Sequence, residues 1–405
     1  MKKVLILSYS FPPFNNIASR RFGDMVEYFE SFGWDAYVLT TKSKGDLPVN
    51  IDESKVYRIG SLRNSFNNKV KSDLSKDKLS SLRRQLGFVS RLLDSTYFSF
   101  YIEFKKTNFL EQFKKLEFDL IISSFGPGSA LFLGKYISEK LCIPLVIDFR
   151  DLGALHVNEP NNRNFISIFL DKIIEKKLLK DCIGITTVSN GLMEELTENY
   201  NINNKAVIYN GFNSSIDENV NASEQYFYYA GRFYENQIKS IFLLLDYIER
   251  NRGYKLIIRS LGPLNLEKKI IDYASTLGVS DNLIVLDPAD SITVQNEASR
   301  SFANIVVESL DTEINWKKGV LTGKLMGLLC MKPPILSIAR KDSEIGEVLS
   351  YTMKGVCVHS LPEIEMFVEK IYENKFSYCG DKNKILEFSK KAQAKKLCSF
   401  LDSIV

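Results

Sequence analysis

The sequence predicts an α/β protein built from two doubly wound domains in series, and three observations predict it. Short apolar, β-branched runs alternate with helix-length amphipathic segments along almost the whole chain. A single polar stretch near the middle interrupts the alternation, and the length of 405 residues is about twice that of a usual single domain. A strand, a helix-length crossover and a second strand close as a right-handed parallel βαβ unit, so the alternation dictates parallel sheets covered by helices.

VLILSYS (4–10) opens the first series as a strand. The loop FPPFNNIASRR follows it, then FGDMVEYFESFGW with apolar residues at helical spacing, then WDAYVLTT as the next strand. DLIISS, a helix through GSALFLGKYISEK, PLVIDF, a helix through IFLDKIIEKKLLKD, GITTVS, a helix through GLMEELTENY, and AVIYNG complete that series. FNSSIDENVNASEQ is poor in apolar residues and reads as a linker. The second series runs through YFYYAG, a helix over IFLLLDYIE, KLIIRS, a helix over EKKIIDYAST, NLIVLD, FANIVVES, a helix opened by TGKL, PPILSIA and GVCVHS. The boundaries drawn from this are 1–212 for the first domain and 213–385 for the second, with 386–405 as a C-terminal helix packing back on the first domain.

Residues 62–110 stand outside this rhythm as an insertion. Within 62–92 there are eight Lys/Arg (Arg63, Lys69, Lys71, Lys76, Lys78, Arg83, Arg84, Arg91) against Asp73 and Asp77. Leu79, Leu82, Leu86, Val89 and Leu93 share one helical face, the pattern of a basic amphipathic helix resting on an anionic bilayer surface. A solvated excursion with ordinary charges is the alternative reading of the same residues.

A net charge of +4 is small beside 53 basic and 49 acidic side chains, so no general nucleic-acid binder is expected. The six cysteines are scattered, without a C-x-x-C pair or histidines at zinc spacing, and read as core thiols in a reducing compartment. No metal site is expected. The apolar run after Met1-Lys-Lys is too short for a signal peptide, and no window approaches the roughly 20 apolar residues of a membrane span. A cytoplasmic protein, with peripheral contact at the inner membrane face through 62–92, is the resulting expectation.

Open α/β sheets bind ligands beyond the carboxyl ends of their strands, so the loops at those ends hold the candidates. In the first domain they are the loop Ser10 to Arg21, with Asn15, Asn16, Ile17 and Arg20 at a helix start suited to an anion. The glycines Gly126 and Gly128 after DLIISS allow close approach to a ligand. Asp148-Phe-Arg150-Asp151 places two carboxylates around an arginine at a strand end, readable as a catalytic group or as a structural ion pair. His156 lies five residues further on. In the second domain, Gly231 and Arg232 end the first strand, Lys239 follows seven residues later, Arg259 and Gly262 end the second, and Asp287 the third. Thr322 and Gly323 open a helix with Lys324 in its first turn, where a cation opposes the helix dipole unless an anion is bound. Arg232, Lys239 and Lys324 together read as a diphosphate site.

SYSFPPFNNIASRR, VIDFRDLG, ITTVSNGL, VIYNGF, the AGR that opens the second domain, and TGKL followed by PPILSI resemble, in order and spacing, the bacterial family-4 glycosyltransferases of the capsule, O-antigen and exopolysaccharide type. The resemblance spans Val4 to the last helix. It implies the GT-B fold, two Rossmann-like domains facing across a cleft, and transfer of a sugar from a nucleotide diphosphate with retention of configuration. It implies that the second domain binds the nucleotide sugar, a UDP- or GDP-sugar, through Gly231, Arg232, Lys239, Arg259, Asp287, Thr322, Gly323 and Lys324. The first domain would hold a lipid-linked saccharide acceptor through Asn15, Asn16, Ile17, Arg20, Gly126, Gly128 and His156, with Asp148, Arg150 and Asp151 as the catalytic candidates. No cofactor or metal is implied.

The sequence departs from the family where Gly327 and Gly319 stand in place of glutamates that contact the donor's ribose and sugar, and where Asn15 and Asn16 replace paired glycines. Either Glu344 or Glu347 supplies the missing acid, or the chain is a weakened homologue that binds saccharide or a partner transferase. A sugar-nucleotide epimerase shares the architecture but depends on histidines in its site, and only His156 and His359 are present. A periplasmic binding protein would need an export signal.

Overall fold

The computed structural model describes residues 1–60, 99–153, 165–213, 216, 224–311, 321–373, 378 and 380–405, with the backbone alone for 165–171. The chain divides into two compact units. One comprises Met1–Val188, Leu192–Tyr209 and Lys390–Val405, the other Ser189–Gly191 and Asn210–Ser389.

The first unit runs β1 (Lys2–Ser8), α1 (Ile17–Gly23), β2 (Trp34–Thr41), β3 (Val56–Ile59), α2 (Ser99–Lys105), α3 (Phe109–Leu116), β4 (Leu120–Ser124), α4 (Ser129–Leu141), β5 (Leu145–Phe149), α5 (Phe165–Leu179), β6 (Gly184–Thr187), α6 (Asn190–Asn199) and β7 (Lys205–Val207). Its sheet has the order β3-β2-β1-β4-β5-β6-β7, with every neighbouring pair parallel. Val4 to Leu7 of β1 are fully buried on both faces, which is why parallel strands of this kind read as unbroken apolar runs.

The helix expected across FGDMVEYFESFGW is not continuous. Asn16 caps α1, its Oδ1 accepting the Ser19 N–H at 2.6 Å, and the helix stops at Gly23, where a side chain would run into the Pro12 ring. Two 3-10 turns, Val26–Tyr28 and Glu30–Phe32, carry the chain onward. The periodicity is met all the same, because Phe22, Met25, Val26 and Phe29 are all buried in one cluster. The short strand β3, unforeseen from the sequence, pairs with β2 at the sheet edge. The basic segment 62–92 and His156 lie outside the described residues.

The second unit runs β8 (Tyr226–Gly231), α7 (Ile238–Arg250), β9 (Lys255–Ser260), α8 (Leu264–Thr276), β10 (Leu283–Leu286), α9 (Ser291–Arg300), β11 (Ala303–Val307), α10 (Gly323–Leu329), β12 (Ile335–Ile338), α11 (Glu344–Thr352), β13 (Gly355–Val358), α12 (Leu361–Tyr372) and α13 (Lys382–Leu386). Its all-parallel sheet has the order β10-β9-β8-β11-β12-β13. Counted from their own first strands, both sheets follow the Rossmann order, which reverses direction beside β1 and β4 in one unit and beside β8 and β11 in the other. Sheets of this kind place ligands in the loops beyond those strands.

The last helix, α14 (Lys390–Ile404), belongs to the first unit. Ala394, Leu397, Cys398 and Leu401 complete the cluster around Phe22 and Phe29, and Lys390 is buried in contact with the Asp24 carboxylate. Cys142, Cys182, Cys330, Cys357 and Cys398 take part in no disulfide. Cys142, expected in a core, is exposed at the end of α4, where it adopts the left-handed conformation that terminates the helix. Among the described residues, no helix is long and apolar enough to cross a membrane.

Because Leu401 has no exposure and lies in the first unit's core, Leu401→Ala is expected to lower that unit's stability by about 2–5 kcal/mol. Urea unfolding followed separately for the two units should shift the first unit's transition and leave the second in place.

Candidate functional site

At the strand ends of the first unit, the dominant feature is a buried ion pair. Arg21, on the inner face of α1, reaches Asp148 at the end of β5 through two hydrogen bonds, Nε to Oδ2 at 2.8 Å and Nη2 to Oδ1 at 2.5 Å. Its Nη1 donates to the Ile208 carbonyl at 2.9 Å. Asp148 also accepts from Ser124 Oγ on β4 at 3.0 Å and from Thr186 Oγ1 on β6 at 2.7 Å. Burial alone would raise the Asp148 pKa, yet the Arg21 charge and these donors hold it below the usual carboxylate range.

Of the two sequence readings of Asp148, the structure shows the structural ion pair and not a catalytic carboxylate presented to a ligand. With no solvent exposure and its oxygens filled, it is the anchor of the strand ends. Arg150 is likewise occupied, Nε donating to the Phe125 carbonyl at 2.8 Å and Nη2 to the Gly126 carbonyl at 3.0 Å. Gly126 has φ +112° with the guanidinium where a side chain would stand, so a glycine is required there on both counts. Gly128 precedes α4 in an ordinary helical conformation. Of the three catalytic candidates only Asp151 is exposed.

The loop after β1 is similarly divided. Asn16 is spent on capping α1, and Asn15 donates to Asp46 Oδ1 at 3.0 Å. Ile17 and Arg20 are exposed, and Arg21, the residue that does the structural work, was not singled out from the sequence. Its neighbour Arg20 has the same composition and context, so only the three-dimensional helix face separates them.

In the second unit, the cations predicted for a diphosphate behave differently from one another. Arg259 forms a two-bonded pair with Glu297 of α9, at 2.9 and 2.5 Å, and Tyr228 donates to the same carboxylate at 2.7 Å. Its remaining Nη1 donates to the Asp287 carbonyl at 2.9 Å. Arg259 is therefore neutralised and offers a phosphate no net charge, which corrects its assignment. The Asp287 side chain is exposed. Lys239 pairs with Asp311 at 2.8 Å on the surface, a contact that solvent screens and a ligand could displace.

Two cations remain. Arg232 is exposed at the end of β8, and its guanidinium pairs with no described side chain. Lys324, in the first turn of α10, folds back over the Tyr229 ring, 4.2 Å from its centroid, and donates to the Tyr229 hydroxyl at 2.6 Å and, at 3.4 Å, to the Arg232 carbonyl. No described carboxylate pairs with it. Burial pulls its pKa down to about 8. Gly231, at φ +142°, makes this path available, since any side chain there would collide with the end of Lys324. Tyr229 is itself fixed by stacking on Phe233, at 4.6 Å between ring centres, and by donating to the Arg232 carbonyl at 2.8 Å.

Thr322 precedes α10 in extended conformation without capping it, and its Oγ1 is buried with no partner. Gly323 and Gly327 are exposed, with nothing within 4 Å of where a side chain would begin. Glu344, expected to replace the missing donor acid, is fully buried at the start of α11. Its carboxylate accepts the backbone N–H groups of Asn190 at 2.8 Å and Gly191 at 3.0 Å, both in the 189–191 stretch that clusters with this unit. It is a helix-start cap and is not free for a donor. Glu308, also buried, accepts from Ser343 Oγ at 3.2 Å. Gly319 lies outside the described residues. Among the described residues no His/Cys/Asp/Glu cluster could hold a metal.

No family profile matches the sequence, nor does any curated protein. Solved structures do match over the full length. Sucrose-phosphate synthase from Thermosynechococcus elongatus is similar with a TM-score of 0.65 at 12% identity, covering 100% of this chain and 99% of that one. The apo lipopolysaccharide outer core galactosyltransferase WaaB gives 0.62 at 15% identity, with 100% of each chain covered. HepE of Anabaena, in complex with UDP and glucose, gives 0.62 at 12% identity, again over 100% of both. Two parallel Rossmann-ordered sheets, matched end to end by these enzymes, define the GT-B fold of glycosyltransferases.

The Asp148 pair makes a specific demand on stability. Asp148→Asn leaves Arg21 buried without its counter-charge and is expected to cost about 3–5 kcal/mol. Because the folded Asp148 pKa is depressed, the pair's contribution is complete above the ordinary carboxylate pKa of about 4 and is lost as pH falls below it. The gap between the denaturant midpoints of wild type and Asp148→Asn should be constant from pH 7 to about pH 5 and narrow as pH falls further.

Proposed function

We propose that the chain is a glycosyltransferase that moves a sugar from a nucleotide diphosphate to a lipid-linked saccharide in cell-surface polysaccharide synthesis, with retention of configuration and without a metal. The observation that carries the donor assignment is the juxtaposition of exposed Arg232 and Lys324, two cations without carboxylate partners among the described residues, at the strand end where the second sheet reverses direction. Rossmann sheets place ligands at that position. The GT-B fold shared with HepE, whose structure contains UDP and glucose, supports the same choice of ligand.

Chemically, departure of the nucleotide concentrates negative charge on the diphosphate. Arg232 and Lys324 face that charge in a partly desolvated setting, where preorganised cations count for more than in water. Lys239 joins them if the ligand displaces Asp311. Held this way, the diphosphate is neutralised by protein groups alone. The first unit supplies the acceptor side through the exposed residues of its strand-end loops, Ile17, Arg20 and Asp151. The basic amphipathic pattern of 62–92 suits an enzyme that meets lipid-linked acceptors at an anionic surface.

A second reading, a homologue that binds donor but transfers poorly, is favoured by one observation. Gly327 leaves open space where the glycosyltransferase family that the sequence resembles has an acid, and Glu344 is committed elsewhere. Release of nucleotide from a panel of UDP-, GDP- and CMP-sugars with a lipid-linked acceptor separates the two: turnover with one donor supports the enzyme, and binding without turnover across the panel supports the second reading.

Arg232→Ala should weaken donor binding about 10–100-fold, the worth of a charged hydrogen bond, with the fold intact by circular dichroism. Unchanged affinity would remove Arg232 from the site. Gly327→Glu meets no steric obstacle and replaces the poorest helix former short of proline, so its thermal midpoint should hold or rise. Its donor affinity should increase, and an unaltered affinity would place that helix face outside the donor site.

A further inference from the structure

Lys324 occupies an environment that disfavours its own charge. It lies on the Tyr229 ring, pressed against the Gly231 backbone, with a hydroxyl and a carbonyl as its only described partners. An ammonium has three N–H donors, and with two directed at Tyr229 and Arg232 one is left for a ligand oxygen. The described charged groups around it offer no compensation. From β8, the Tyr229 hydroxyl stays protonated because burial pushes its pKa up, and it spends its proton on the Arg232 carbonyl. From the following turn comes Arg232, a like charge. From α10 itself, GKLMGLL, there is no other ionisable group. The strand β11, on which α10 packs, is followed by Glu308, whose carboxylate accepts from Ser343 and acts on Arg340.

Resting on the donor reading above, we propose that Lys324 makes the site selective for the diphosphate end of the donor: it takes a proton from solvent as the diphosphate binds and returns it when the nucleotide leaves. The cost of holding an unpaired ammonium in this pocket is carried at neutral pH and vanishes as the amine deprotonates. A bound diphosphate oxygen at the third N–H reverses that balance, because the ammonium then has a counter-charge. An uncharged nucleoside gives no such return, so it gains nothing from Lys324. Proton uptake and diphosphate recognition are then one event at one nitrogen.

The test is calorimetric titration of the full-length protein with UDP, GDP and uridine at pH 8.0–8.5 in buffers of different ionisation enthalpy. Phosphate's own second pKa of about 6 keeps the terminal phosphate fully ionised there, so its titration does not contribute. The expected result is uptake of about half a proton per nucleoside diphosphate near pH 8, and none with uridine. Lys324→Met, which fills the same space without charge, should abolish the uptake and weaken diphosphate binding about 10–100-fold. The wild-type buffer dependence stands without that variant if it does not fold. Diphosphate binding with no proton uptake overturns this inference and leaves the donor reading in place. Failure of every nucleoside diphosphate to bind overturns both.

Discussion

One buried ion pair sets the geometry of the first unit's strand ends. Asp148 at the end of β5 receives Arg21 from α1, Ser124 from β4 and Thr186 from β6, and Arg21 in turn holds the carbonyl of Ile208 just beyond β7. A carboxylate and a guanidinium removed from water repay their desolvation only when nearly every lone pair and N–H is used, and here the partners are supplied by separate segments of the sheet. The arrangement therefore cannot be loosened at one strand without exposing a charge at another. The loops that follow β1, β4 and β5 inherit their starting points from it, and Arg150 extends the same logic by fixing the carbonyls of Phe125 and Gly126. What remains for a ligand is what this lattice leaves outside, namely Ile17, Arg20 and Asp151.

The second unit solves the opposite problem. Its strand ends are rich in positive charge, and the structure sorts that charge by whether a carboxylate is within reach. Glu297 satisfies Arg259, Asp311 meets Lys239 in solvent, and Arg232 and Lys324 are left without an acid among the described residues. The surplus of two cations beside the reversal of strand order suits a ligand carrying more than one negative charge. Tyr229 links the two, because its ring carries Lys324 while its hydroxyl holds the backbone of Arg232.

Much of this was legible in the sequence, for a physical reason. Strands buried on both faces are continuous apolar runs, so YFYYAG coincides with β8, and the alternation with amphipathic helices predicts the fold class. β3 escaped notice because VYRI is four residues long, sits at the sheet edge and is only half buried. The helix after the first loop was drawn too long because apolar spacing does not register the contact between Gly23 and Pro12. At the strand ends, glycine and charge patterns do not distinguish an occupied side chain from an available one. Asp148 finds partners 24, 38 and 127 residues away, and Arg259 finds Glu297 at a separation of 38. Glu344 has the composition of a ligand-binding acid and the location of a helix cap. Such pairings arise from the fold and have no local signature.

We propose that the cations at the end of β8, which have no carboxylate partner among the described residues, hold the donor's diphosphate. A crystal structure of the full chain with UDP tests it most directly. The account predicts phosphate oxygens within hydrogen-bonding distance of Lys324 Nζ and the Arg232 guanidinium, with Arg259 still paired to Glu297. A nucleotide bound with its phosphates on Arg259, or elsewhere in the molecule with Lys324 still resting on Tyr229 alone, would contradict it.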